Sequence, residues 1–67
     1  MEYTNSRVRE IIADYVHSQR DREIMCRRLI DGITLEKLAE EFDLSVSQVK
    51  RIIKAQETII FRHVGNN

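Results

Sequence analysis

Between positions 45 and 54 the sequence reads SVSQVKRIIK, ten residues with three cations and no carboxylate. Lys50 and Arg51 can donate to guanine O6 and N7. Ser47 and Gln48 can exchange hydrogen bonds with base edges, and Val46 offers a methyl surface suited to thymine. Lys54, one turn further along a helix, reaches for a phosphate. The Thr34 hydroxyl and the backbone N–H groups of Ser45 and Val46 are further anion donors. This chemistry belongs to a duplex DNA contact. Other chemistries find no residues: Cys26, His17 and His63 lack the spacing of a metal site, and no cofactor is implied. Cys26 sits mid-stripe on a helix, where a thiol behaves as a small hydrophobe. No nucleophile–base pair or convergent carboxylate pair can be placed, so the chain is not read as an enzyme.

Three cations on a helix also complement its macrodipole, so the charges alone decide nothing. The elements that carry them decide more. Val8, Ile11, Ile12, Tyr15 and Val16 fall on one helical stripe, predicting a first helix from about Ser6 to His17 with Asn5 as its cap. Ser18 to Asp21 has the form S-x-x-D and starts a second helix that turns Met25, Cys26, Leu29 and Ile30 inward. Gly32 ends it. Thr34 caps a short third helix with Leu35, Leu38, Ala39 and Phe42. Ser45 to Gln48 is a full S-x-x-Q capping box, and it opens a fourth helix at Val46. That helix is extended to about Arg62, with Gly65 and the last two Asn residues frayed.

The third and fourth helices are joined by Asp43-Leu44-Ser45 alone, a joint too abrupt for an antiparallel pair. It suits a helix-turn-helix, whose helices cross steeply. Leu38 and Phe42 pack down, Leu44 plugs the corner, and Val49 and Ile52 return. Ala39 marks the closest approach of the two helices. Asp43 stands where the turn calls for a positive φ, which Asp tolerates better than most side chains. In such a fold the start of the second helix enters the major groove.

Composition agrees. The 67 residues are 42% hydrophobic and 33% charged, with two Gly and no Pro, too few turn formers for a many-stranded sandwich. The expectation is one all-α domain, residues 1–67, with four helices around a helix-turn-helix at 34–54. A single Cys, no signal-peptide pattern and no long apolar run argue for a soluble cytoplasmic protein without a membrane role. The net charge of zero hides a sorted distribution: residues 35–45 carry −3 and residues 46–67 carry +3.

The segment DGITLEKLAEEFDLSVSQVKRIIKA, within the wider span from Arg20 to Arg62, resembles the C-terminal, fourth conserved region of bacterial RNA polymerase sigma factors. That region reads the −35 promoter element. The resemblance rests on Arg22-Glu23, Asp31-Gly32, Thr34-Leu35-Glu36, Phe42-Asp43-Leu44-Ser45 and Val49-Lys50-Arg51-Ile52. It implies base contacts from Val46, Ser47, Lys50 and Arg51 and a phosphate contact from Thr34. Val46 and Ser47 stand where the family often has charged side chains, so the DNA sequence read should differ from a standard −35 element. Sixty-seven residues do not hold the second conserved region that melts promoters. The whole chain is therefore similar to small stand-alone regulators of phages and mobile elements.

Two features keep an alternative open, that of a protein-interaction module without DNA binding. Glu36, Glu40 and Glu41 form an acidic face that could meet RNA polymerase or another basic partner. Ile59, Ile60 and Phe61 cannot all hide on one side of a helix. Either two of them pack against Val8, Ile12 and Tyr15, or the run forms a homodimer interface. Arg27 and Arg28 face away from the apolar side, toward DNA backbone or toward a surface ion pair with Asp31 or Glu23.

Overall fold

A computed structural model describes residues 4–64, with side chains through residue 62. Its helices are α1 (Asn5–Tyr15), α2 (Gln19–Leu29), α3 (Leu35–Phe42) and α4 (Val46–Val64), with no strand among the described residues. The His63 side chain and the segment from Gly65 onward lie outside the described residues. Each helix begins behind a hydroxyl that takes up one of the amide N–H groups a helix start leaves unpaired. Thr4 accepts from the Arg7 amide at 3.1 Å, Ser18 from Asp21 at 3.4 Å, Thr34 from Lys37 at 3.2 Å, and Ser45 from Gln48 at 3.1 Å. The first cap is thus Thr4 and not Asn5, which opens the helix. Adjacent Thr and Asn are both competent caps, and the stripe of α1 does not choose between them.

The helices end as locally as they begin. Gly32 takes a φ of +69°, after which the Ile33 amide reaches back to the Arg27 carbonyl at 3.2 Å. Arg22 closes the end of α1, its guanidinium donating to the carbonyls of Val16 and His17. Asp21 commits its carboxylate to Arg20 at 3.2 Å and to Gln56 of α4 at 3.4 Å. That last bond ties α2 to α4 through residues 35 positions apart in the sequence.

One core joins the four helices. It takes Ile11, Ile12 and Val16 from α1 and its end, Ile24 and Met25 from α2, Leu38 and Ala39 from α3, and Val49, Ile53 and Ile60 from α4. Six of these side chains are essentially solvent-free, and burying each is worth about 1.5–3 kcal/mol. The helix α2 is central: it packs on α1, α3 and α4, whereas α1 packs on α2 and α4 only. On α2, Ile24 and Met25 are buried, whereas Leu29, expected inside, is 43% exposed, so the inward face of α2 is centred on a different stripe from the one expected.

On α4 the inward positions Val49, Ile53 and Ile60 recur at spacings of four and seven, the period of one helix face. Only one of three successive residues can share that face. Ile60 does; Ile59 and Phe61 are 39% and 63% exposed, so one of the three packs inward, not the two of the packing alternative.

Candidate nucleic-acid interface

The joint between α3 and α4 begins with Asp43, the one non-glycine residue with positive φ among the described residues (φ +56°, ψ +47°). Its amide and that of Leu44 turn back onto α3. The Leu44 N–H donates to the Ala39 carbonyl at 2.8 Å and the Asp43 N–H to Glu40 at 3.5 Å. This 6→1 and 5→2 pair is a Schellman closure, and half-buried Leu44 supplies the apolar contact that accompanies it. Ala39 is buried beneath the bend, and its carbonyl receives the shorter of the two bonds. The chain is thereby turned in three residues and starts a new helix.

That start is held from both directions. The Ser45 Oγ accepts the Gln48 amide at 3.1 Å, while Gln48 Oε1 accepts the Ser45 amide at 2.8 Å. The capping box read from S-x-x-Q is complete. It also corrects one expectation: the Ser45 N–H is engaged and is not an anion donor. Val46, at the first helical position, keeps an amide with no intrahelical acceptor.

Beyond the cap, Ser47, Gln48, Lys50, Arg51 and Lys54 are all exposed, and Val46 is half-buried at the tip. Val49 and Ile53 anchor this stretch from behind. Lys50 and Lys54 lean into an open groove of about 430 Å³, together with Arg28 from α2, Leu35 from α3, and Ile53 and Glu57. Three cations thus border the groove against one carboxylate. Leu35 follows Thr34 directly, so the start of α3 lies beside them. Ser47, Gln48 and Arg51 stand apart from this groove on the leading turns of α4.

Its sequence position makes Arg28 a DNA-backbone or ion-pair residue. The structure places its guanidinium 2.9 Å from the Ile33 carbonyl, which fixes it at the groove. Nothing in the local sequence announces that acceptor, because it exists only after the Gly32 turn. Arg27 takes the ion-pair course. It meets Asp31 at 3.0 Å and Glu41 of α3 at 2.7 Å. Hydrogen bonding from Arg27 holds the Glu41 carboxyl below its ordinary value. Of the acidic face on α3, Glu41 is therefore occupied, and Glu36 and Glu40 carry the remaining exposed charge.

Burial raises the Cys26 thiol above its ordinary value, against an opposing pull from Arg9, so the nucleophilic thiolate is scarce at neutral pH. Among the described residues no three potential metal ligands cluster, and no helix is long and apolar enough to cross a membrane.

No curated protein and no solved structure matches the chain. A family does: Sigma-70, region 4, over residues 18–55, from the Ser18 cap of α2 through the middle of α4. The match takes in the turn at Asp43, the capping box and the three groove cations, and it covers more than half of the sequence. The chain belongs to the sigma-70 region 4 family, a family of helix-turn-helix DNA-binding domains of transcription and not of enzymes.

Proposed function

We propose that this chain binds specific duplex DNA sequences and thereby regulates transcription in the cytoplasm, with α4 in the major groove. Val46, Ser47, Gln48, Lys50 and Arg51 meet base edges. Lys54 and Thr34 hold phosphates, joined by the Val46 amide. Thr34 can do so although its oxygen already caps α3, since an accepting hydroxyl keeps its own proton to donate. Arg28 adds a backbone contact across the groove it shares with Lys50 and Lys54.

The observation that carries this reading is the bare leading end of α4. Its polar side chains are exposed, its backbone is locked by the Ser45–Gln48 box, and its apolar side is anchored by Val49. A rigid, solvent-facing, cationic helix start is what direct readout requires. Replacing Lys50 or Arg51 with Ala should weaken binding to the preferred site by about 1–3 kcal/mol. Titrations of a labelled duplex at several salt concentrations measure it. Affinity must also fall steeply as salt rises, because displaced counterions drive phosphate contacts. Unchanged specific affinity in both variants would remove α4 as the reader.

A second reading is favoured by Ile59 and Phe61, whose exposure leaves an apolar edge near the end of α4. It assigns this edge, or the Glu36–Glu40 face, to a protein partner such as RNA polymerase or a second copy of the chain. Retention of a protein partner, without retention on duplex DNA at low salt, distinguishes it. Ile60 is buried in the core and is not available to such an interface.

A further inference from the structure

Four residues occupy the third helical position behind the four caps: Arg7, Asp21, Lys37 and Gln48. Only Gln48 returns a bond to its cap, and only Gln48 is also among the residues facing the proposed major groove. These two duties constrain one carboxamide. Because the Ser45 amide is a donor, the atom 2.8 Å from it must be the oxygen, which settles the orientation of the side chain. The oxygen is turned back toward the cap, and the NH2 group is the part left for a ligand.

From this we infer that Gln48 reads DNA as a donor alone and selects guanine over adenine at the base it meets. The inference rests on the proposed role of α4. A glutamine that recognises adenine does so with both ends of its amide, the oxygen accepting from N6 and the nitrogen donating to N7. The bond from Ser45 takes one of the oxygen's two lone pairs and fixes the carboxamide against the cap, so the paired edge that adenine needs is no longer freely oriented, whereas the NH2 keeps both of its hydrogens. Its NH2 meets two acceptors, O6 and N7, on guanine. On adenine it meets one acceptor beside a competing donor, and on cytosine a donor only. A residue that is nominally ambivalent is made one-signed by the bond that starts its own helix.

Selection of bound sites from a random duplex pool tests this, using the full chain and two variants, each melted in parallel. The wild type should enrich guanine at one position by about tenfold over adenine. Gln48→Glu keeps an oxygen for the Ser45 amide and offers a second oxygen outward. It should melt at or above the wild-type temperature and exchange guanine for cytosine at that position. Gln48→Ala removes the donor without adding charge, and should flatten that position while the rest of the site persists. This variant decides the matter if the added carboxylate abolishes binding altogether. A guanine preference unchanged in Gln48→Ala, or adenine selected there by the wild type, overturns the inference while leaving DNA binding intact. No salt-sensitive binding by the wild type at all overturns the DNA reading itself.

Discussion

Asp43 offers the sharpest test of the bend on which the interface depends. At φ +56° and ψ +47° it occupies the left-handed region, which costs an L-residue about 1–2 kcal/mol. Asp lies toward the lower end, because short polar side chains hydrogen-bond locally there. A β-branched residue does not share that relief, and its Cβ substituents crowd the backbone further. Asp43→Val should therefore lose about 1–2 kcal/mol relative to the wild type. In a domain of this size each kcal/mol is worth about 4–8 °C, so the midpoint should fall by roughly 5–15 °C. Asp43→Gly removes the steric cost and should melt at or above the wild-type temperature, within about 1 kcal/mol. Thermal melts followed by far-ultraviolet circular dichroism read both. Asp43 is exposed, so core packing does not enter the comparison. Equal melting of the Val variant and the wild type would refute the torsional account. So would a Gly variant that falls as far as Val, since the lost carboxylate and not the backbone angle would then be responsible.

Beneath the same bend, Ala39→Leu should destabilise by about 1–3 kcal/mol through overpacking, because Ala39 is 7% exposed where α3 turns into α4. A wild-type melting temperature there would contradict the close approach. The Arg27–Glu41 pair predicts a pH dependence. Glu41 is held below its ordinary value of 4.5, so its contribution is present above that value and is lost as pH falls through its lower folded value. The melting temperatures of Glu41→Gln and the wild type should differ at neutral pH and converge in acid. A gap that stays constant across the acid range would remove the pair as a source of stability.

What could be read from the residues alone was whatever is settled within a few positions. Gly32, Asp43 and the Ser45–Gln48 box each depend on neighbours three or four residues away, and each stands where its local chemistry places it. The alternation of inward and outward positions from Val46 to Lys54 was legible for the same reason. The face of α2 was not. Its stripe admits more than one inward set, and the choice of Ile24 over Leu29 is made by contact with three other helices. Equally hidden were bonds across the fold: Arg27 to Glu41, Arg22 to the end of α1, and Asp21 to Gln56. The tip residues of the interface came from the sequence, whereas the placement of Arg28 beside them required the fold.

The family match and the core do not have the same limits, and the difference bears on what holds the interface in place. Residues 18–55 include the turn, the capping box and every cation of the groove. They omit Ile11, Ile12, Val16 and Ile60, four of the ten residues in the buried core. Without α1 and the end of α4, α2 and the rest of α4 would lose packing partners. A chain this short has little apolar area to spare. The first helix shares that core with α4, although it carries none of the proposed DNA-contacting side chains. It packs on both α2 and α4. Stability introduced at Val16 or Ile60 should accordingly be felt at Lys50, through the single core that all four helices share.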